Sequence, residues 1–285
     1  MSFCDAHNHL QDARFSNRQS RLLATAESVG VTRMVVNGAC ADDWPQVLEC
    51  SQLSRLVIPS FGLHPWYLHE MRSNALDLLE QFLTKYPHSA VGEIGLDRWI
   101  LAQPPSVRAR YQPDFLKSEP ATLTQQIEAF VAQWRLAVRF RRPITVHCLN
   151  AWGRLLEILR TEERAPRGFL LHSYGGSADL VPELAKLGAY FSFPGYFALD
   201  RKRRQREVFQ KIPRDRLLVE TDAPDQLPPE ELTQFPLFSE LEPTRALNHP
   251  ANLPAIYEYL AKWLETDLGE LQVQVEENFN RLFGT

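Results

Sequence analysis

The chain has 285 residues, of which 44% are hydrophobic and 23% are charged. A chain of this length can bury a large core, and α/β barrels of this size are usually one domain. The formal net charge of −4 at pH 7 argues against a protein that coats nucleic acid through bulk positive charge, so a nucleic-acid partner would have to be recognised locally.

Other features of the whole chain narrow the class of protein. No apolar run approaches the roughly 20 residues that a membrane-spanning helix needs, so we expect no contact with a membrane. The four cysteines lack the paired spacing of a zinc finger, and the beginning of the chain does not resemble a signal peptide. We therefore expect a cytoplasmic protein, and the sequence gives no indication of an obligate protein partner.

Short β-branched or aliphatic runs alternate along the chain with stretches of helical periodicity. The alternation predicts parallel strands, and eight such units predict a closed (β/α)8 TIM barrel that occupies residues 1–285 as a single domain. The predicted strands are residues 2–7, 32–38, 56–63, 89–96, 143–148, 168–173, 189–193 and 216–222. The predicted helices are residues 18–29, 42–54, 73–85, 122–140, 151–161, 177–186 and 201–211, with more helix from about 252 to 282.

Two proline-rich segments are too long for ordinary barrel loops. They span about 98–121 and 223–250, and each follows a predicted strand. Because the loops after barrel strands build the active site, we expect these insertions to form walls of a site.

Polar residues occur where the predicted strands end. The first strand runs into DAHNH, in which Asp5, His7 and His9 share one face because side chains alternate along a strand. A lone histidine at a strand end is usually structural, but a convergent group of imidazoles and carboxylates would be costly to bury without a metal. The predicted metal ligands are His7, His9, Glu93, His147, His172 and Asp222.

The number of ligands predicts two divalent ions. We expect His7, His9 and Asp222 to hold one ion and His147 and His172 to hold the other, with Glu93 between them. Each ion would keep open positions for water or substrate, as catalytic sites do. Imidazole-rich ligation favours zinc, and manganese or magnesium are alternatives.

Several motifs resemble those of the TatD-type metal-dependent hydrolases, a deoxyribonuclease-like branch of the amidohydrolase superfamily. DAHNHL is similar to the family's opening D-x-H-x-H-L, GLHPW to its G-x-H-P, and VGEIGLD to its G-E-I-G-L-D. PITVHC, LLHSYGGS and LLVETDAP follow in the family's order, and NHPANLP resembles its C-terminal stretch. The resemblance covers nearly the whole chain.

The resemblance implies metal-dependent hydrolysis of phosphodiester bonds, with DNA trimmed from its 3′ end by a water that two metal ions activate. Glu93 would stand where many amidohydrolases have a modified lysine, and Asp222 would act both as a ligand and as the base. His64 is a candidate phosphate contact, and Arg245 and Asn248 are candidate substrate contacts. We expect Asp5 to orient a ligand or neighbouring backbone.

Other features leave alternatives open. Asp225 lies close to the expected phosphate-binding rim, where a negative charge would repel DNA. The basic run RKRRQR, residues 201–206, would hold phosphates or form a solvated helix face, and nearby aromatic residues would stack bases or pack the barrel. An amidohydrolase or lactonase that acts on a small carbonyl substrate is a second possible function, and a catalytically idle binding barrel is a third.

Overall fold

Eight parallel strands surround the centre of the molecule in the computed structural model, which describes residues 2–15, 17–71, 73–108, 119–238, 240–241 and 244–284. Each strand pairs with the next one along the chain, in the order β1 to β8. The strands are β1 (Phe3–Asn8), β2 (Val31–Asn37), β3 (Val57–Phe61), β4 (Ala90–Asp97), β5 (Ile144–Leu149), β6 (Phe169–Leu171), β7 (Ala189–Pro194) and β8 (Leu217–Glu220).

Helices connect successive strands, so the predicted (β/α)8 barrel is confirmed. The helices are α1 (Gln19–Ser28), α2 (Trp44–Leu53), α3 (Ala75–Lys85), α4 (Pro105–Arg108), α5 (Leu123–Arg139), α6 (Trp152–Thr161), α7 (Val181–Lys186), α8 (Arg203–Val208), α9 (Leu253–Trp263) and α10 (Leu268–Phe283). No helix among the described residues is both long and apolar enough to span a membrane.

The barrel closes between β8 and β1 through main-chain hydrogen bonds at the ends of these strands. The N–H of Asp222 donates to the carbonyl of His7 at 2.9 Å, and the N–H of His9 donates to the carbonyl of Ala223 at 2.7 Å. The same bonds fix three of the predicted metal ligands relative to one another, so barrel closure and site assembly depend on one set of contacts.

Some element boundaries differ from those predicted. Strands β6 and β8 end earlier than expected, so His172 and Asp222 lie just beyond them instead of on them. The helical region expected from about 252 to 282 consists of two helices, because the chain turns after Trp263 and Asp267 begins α10 by accepting hydrogen bonds from the N–H groups of Gly269 and Glu270.

The two long insertions do follow the C-terminal ends of β4 and β8. The first contains α4, and its residues 109–118 lie outside the described part of the chain. The second contains an unpredicted antiparallel pair of short strands, β9 (Leu237–Phe238) and β10 (Ala246–Leu247).

Helix α5 packs against the sheet with a face that is only partly apolar. Phe130, Trp134 and Val138 recur at helical spacing and are buried. Gln126 and Gln133 are also fully buried on this helix. Gln126 pairs with the main-chain N–H and carbonyl of Asp97 at 2.7 and 3.1 Å, and Gln133 pairs with both main-chain groups of Leu63. The two amides therefore fix the chain where β4 ends and just beyond β3.

Candidate metal centre

The structure brings the predicted metal ligands together at the C-terminal end of the barrel. His7 lies in β1, Glu93 in β4 and His147 in β5, while His9, His172 and Asp222 lie one or two residues beyond their strands. All of these side chains are buried or nearly buried. Residues distant in the sequence therefore form one compact polar cluster.

Glu93 occupies the middle of this cluster. Its Oε2 atom lies 3.4 Å from Nε2 of His7 and 3.2 Å from Nε2 of His9. Its Oε1 atom lies 3.0 Å from Nδ1 of His147 and 2.8 Å from Nε2 of His172. The two oxygens of one carboxylate thus face two separate pairs of imidazoles.

Asp222 completes the first pair. Its Oδ1 atom lies 3.2 Å from Nε2 of His7 and 3.8 Å from Nε2 of His9, and these two nitrogens are themselves 3.2 Å apart. We call His7, His9, Asp222 and Oε2 of Glu93 the first ligand set.

The second ligand set consists of His147, His172 and Oε1 of Glu93. Nδ1 of His147 lies 3.3 Å from Nε2 of His172. His64 lies against this set, with its Nε2 3.4 Å from Oε1 of Glu93 and its ring centroid 4.5 Å from that of His147.

The distances within both sets fit a divalent cation. A tetrahedral ion with bonds of about 2.0 to 2.1 Å keeps its ligand atoms about 3.3 to 3.4 Å apart, close to the separations found here. In addition, Oε1 of Glu93 is buried and accepts no well-oriented hydrogen bond, although three imidazole nitrogens surround it. A lone-pair atom in such surroundings is satisfied by a cation.

Asp97 contacts His147 at the imidazole nitrogen that does not face Glu93. Its Oδ2 atom lies 3.0 Å from Nε2 of His147 and accepts a hydrogen bond from the Trp66 indole at 2.6 Å. This contact leaves Nδ1 of His147 facing the second ligand set. The sequence analysis did not identify Asp97, although its place at the end of GEIGLD was a signal.

Glu220 lies behind His172 in a similar way. It is fully buried, its Oε1 is 3.7 Å from Nδ1 of His172, and it accepts hydrogen bonds from the hydroxyls of Ser173 and Ser192. The sequence analysis also missed this carboxylate, which is the first residue of ETDAP and directly precedes Thr221 and Asp222.

Asp5 does not face either ligand set. Its carboxylate accepts hydrogen bonds from the N–H and hydroxyl of Thr221, at 2.9 and 2.6 Å, and from the side chain of Asn8. It therefore joins β1 to the end of β8, in agreement with the expectation that it orients neighbouring backbone.

Gly95 permits the close approach of β4 and β5 beside the site. A Cβ atom at Gly95 would lie 2.0 Å from the carbonyl oxygen of His147. Because that neighbour is backbone, only glycine allows this spacing of Glu93 and His147 on adjacent strands.

Asp222 is oriented by the loop that follows it. Nε2 of Gln226 donates hydrogen bonds to Oδ2 of Asp222 and to the hydroxyl of Ser173. Asp222 and Gln226 both have left-handed backbone, with φ of 54° and 47°. Such conformations are uncommon outside glycine and are often found where a side chain is aimed at a functional site.

The predicted substrate contacts occupy different environments. His64 is buried at the second ligand set. Arg245 lies on the rim, where it donates to Asp225 at 2.6 Å. Asn248 is fully buried, and its amide pairs with the carbonyl of Thr221 and with Asn252. Because its polar atoms are already used inside the protein, Asn248 holds the loop after β8, and the geometry does not support its predicted contact with substrate.

The surroundings of Asp225 differ from the expectation that its negative charge would repel DNA. Its carboxylate lies 2.6 and 2.9 Å from the two terminal nitrogens of Arg14, in addition to Arg245. Two arginines therefore neutralise it.

In the basic run of residues 201–206 and among the aromatic residues near it, some side chains are buried in the barrel and others are exposed to solvent. Phe191, Phe193 and Phe197 are buried in the core, and Arg206 is buried against the Trp263 ring and the carbonyl of Ala198. Arg203 pairs with Glu207 on the exposed face of α8. Arg201 and Lys202 lie over the half-buried ring of Tyr196. Most of this segment thus packs the barrel or faces solvent.

A (β/α)8 barrel with buried imidazoles and carboxylates at the C-terminal ends of its strands defines a metal-dependent hydrolase. Comparison with known proteins gives the family. The sequence model of the TatD related DNase family matches residues 4–284, and the chain belongs to this family.

Relatives match over almost their full length. The 3'-5' ssDNA/RNA exonuclease TatD of Edwardsiella piscicida is 30% identical over 281 residues, covering 96% of both chains. The protein of the same name from Escherichia coli K12 is 26% identical, with 97% of this chain and 96% of its own covered.

Solved structures agree with the fold. The crystal structure of YjjV, a TatD homolog from Escherichia coli K12, superposes with a TM-score of 0.81 at 25% identity and covers 99% of this chain and 98% of its own. A TatD family hydrolase from Entamoeba histolytica, with a TM-score of 0.78 at 20% identity and coverage of 99% and 98%, has the same fold.

Proposed function

We propose that this protein is a 3′-5′ exonuclease that hydrolyses the phosphodiester bonds of single-stranded nucleic acid, with DNA as its substrate. The observation that carries the proposal is the position of Glu93, whose two oxygens face two separate ligand sets. The names of the Edwardsiella and Escherichia relatives support the choice of substrate and polarity.

The first ligand set would hold one divalent ion and the second set would hold another, with the Glu93 carboxylate shared between them. Imidazole-rich ligation favours zinc for both, with manganese or magnesium as alternatives. When bound, the ions supply positive charge that acidifies water and offsets the negative charge that accumulates on phosphoryl oxygens during attack.

Asp222 would take the proton from the attacking water. Burial raises the pKa of Asp222, but the hydrogen bond and charge of His7, together with His172 and His9, lower it below its usual value. The carboxylate is therefore ionised at neutral pH and able to accept a proton. Gln226 holds Oδ2, which leaves Oδ1 facing the cluster.

His64 would contact the phosphate as a neutral hydrogen-bond donor. Its Nδ1 accepts a hydrogen bond from the N–H of Trp66, so the ring proton lies on Nε2, the atom that faces Glu93. Burial lowers the pKa of His64 to about 4. The side chain can therefore donate to a phosphoryl oxygen without adding a charge.

The free thiols of Cys4, Cys40, Cys50 and Cys148 support a reducing compartment, and we propose that the protein works in the cytoplasm.

The proposed activity is tested by assaying the protein with several metal ions and several classes of substrate. Purified protein is incubated with zinc, manganese or magnesium and with single-stranded DNA, duplex DNA, RNA, bis(p-nitrophenyl) phosphate, amides and lactones. We expect shortening of single-stranded DNA from its 3′ end. Turnover of carbonyl substrates alone would instead support an amidohydrolase or lactonase, and turnover of nothing would support a binding barrel.

Metal analysis tests the ligand assignment independently of activity. We expect Glu93→Ala to lose both ions, His9→Ala to lose mainly one, and His88→Ala, at an exposed histidine before β4, to keep both. Unchanged metal content in Glu93→Ala would overturn the assignment.

A further inference from the structure

Three charged side chains form a clamp at the rim of the metal centre, which we define as Arg14, Asp225 and Arg245. Nη1 and Nη2 of Arg14 donate to the two oxygens of Asp225 at 2.9 and 2.6 Å, and Nη2 of Arg245 donates to Oδ1 at 2.6 Å. One carboxylate thus receives hydrogen bonds from two guanidinium groups.

The clamp is tied to residues of the first ligand set. The N–H of Asp225 donates to the carbonyl of Asp222 at 2.9 Å, and Asp12, a partner of Arg14, donates from its N–H to the carbonyl of His9 at 3.0 Å. Arg14 therefore connects the turn after β1 to the turn after β8, directly beside the predicted base.

Arg14 is also anchored by Asp12, independently of Asp225. Nε and Nη2 of Arg14 donate to the two oxygens of Asp12 at 2.9 and 2.8 Å, and its main-chain N–H donates to the same carboxylate. The Arg14 side chain is mostly buried, whereas Asp225 and Arg245 are 37% and 43% exposed. The fixed member of the clamp is Arg14, and its solvent-accessible members are the Asp225 carboxylate and Arg245.

The donors that grip Asp225 are those that proteins use to grip phosphate. A guanidinium fork binds a carboxylate and a phosphate with the same parallel N–H groups. Ion pairs that are partly exposed to water are individually weak and can be exchanged for another anion.

We propose that Arg14 and Arg245 form a binding site for a second phosphate of the substrate, and that Asp225 occupies this site as an internal competitor. A nucleic-acid strand that enters the active site displaces the Asp225 carboxylate and places one of its phosphates on the two arginines. This inference rests on the proposed function, because only a polynucleotide brings a second phosphate beside the bond that is cut. A diester with one phosphate gains nothing from the clamp.

The test removes the competitor and measures binding as well as turnover. Asp225→Asn is compared with wild type for binding of a fluorescein-labelled, phosphorothioate-linked ten-nucleotide single-stranded DNA, and for KM with an unmodified oligonucleotide and with bis(p-nitrophenyl) phosphate. Glu230→Gln is the matched control, since it removes one negative charge from an exposed position on the same loop.

We expect Asp225→Asn to bind the oligonucleotide about three- to tenfold tighter and to lower its KM by a similar factor, with KM for the single-phosphate diester unchanged. Its affinity should also depend more steeply on salt, by up to about 0.7 in the logarithmic slope, since the positive charge that holds this phosphate is no longer offset by the Asp225 carboxylate. Adding Arg245→Gln should abolish the gain. Metal content and the unfolding midpoint should match those of wild type.

Other outcomes would overturn the clamp. These are unchanged or weaker binding by Asp225→Asn, an equal gain in Glu230→Gln, or a gain that persists without Arg245. If wild type cleaves the oligonucleotide and Asp225→Asn gains nothing, only this inference fails. If wild type neither binds nor cleaves it, the proposed function fails as well.

Discussion

Asp97 and His147 are joined by a contact of 3.0 Å between Oδ2 and Nε2, at the imidazole nitrogen that does not face Glu93. The contact fixes the orientation of the ring, and the negative charge makes its other nitrogen a better ligand. The second ligand set therefore depends on a carboxylate that would not itself bind metal.

The first prediction concerns this carboxylate. We expect Asp97→Asn to weaken metal binding by the second ligand set about 10- to 100-fold, as is typical for outer partners of metal-binding histidines. Calorimetric titration of the metal-free protein with zinc measures the effect. Glu128→Gln, at an exposed position on α5, should bind zinc like wild type. Equal affinity in Asp97→Asn and wild type would contradict this role.

The second prediction concerns pH. Burial lowers the pKa of His9, but the hydrogen bond and charge of Glu93 raise it to about 9. Burial likewise lowers the pKa of His147, but the hydrogen bond to Asp97 and the negative charge of Glu93 raise it to about 8. Both imidazoles hold protons at pH 7 in the metal-free protein, and a cation must displace them.

Metal affinity should therefore fall as the pH decreases below these values. We expect the apparent Kd for zinc to rise about tenfold or more per pH unit between pH 8 and pH 6, because at least one proton is displaced. Titrations in weakly buffered solution should show proton release. His88→Gln, at an exposed histidine, should show the same dependence, whereas affinity that does not vary with pH would exclude this protonation.

The third prediction concerns the spacing of β4 and β5. Gly95→Ala places a methyl group against the carbonyl of His147, so we expect a loss of about 1 to 3 kcal/mol in the free energy of unfolding, or more, and reduced metal content. Denaturant unfolding measures the first effect and elemental analysis the second.

Gly153 on α6 provides the control for this substitution. A Cβ atom there would have no heavy atom within 4 Å. Gly153→Ala should leave stability unchanged or raise it by up to about 1 kcal/mol, because alanine restricts the unfolded chain. A similar loss in both variants would mean that the close approach at Gly95 is unimportant.

The fourth prediction concerns the buried amide of Gln126. Gln126→Leu leaves the main-chain N–H of Asp97 without its partner, which should reduce the free energy of unfolding by about 1 to 3 kcal/mol. The variant should also bind metal more weakly, because the end of β4 carries Asp97. Glu128→Leu, on the exposed face of the same helix, should change neither property. Full stability and metal binding in Gln126→Leu would show that water replaces the lost bonds.

The barrel and the clustering of the candidate ligands were predictable from the sequence because both depend on local patterns. Strands and helices alternate with their own periodicities, and parallel strands in a closed barrel bring their C-terminal ends to one rim. Once His7, Glu93, His147 and Asp222 are placed at or near strand ends, their convergence follows. The family motifs added the expected chemistry.

The tertiary structure alone decided which other polar residues serve the site. Gln126 and Gln133 lie on a buried helix face, Asp97 and Glu220 lie behind histidines, and Asp225 pairs with Arg14 across 211 positions of the chain. A glutamine or aspartate has the same local pattern whether it is solvated or buried. Its partner is set by how helices and loops pack across the barrel, and that information is not contained in any short stretch of sequence.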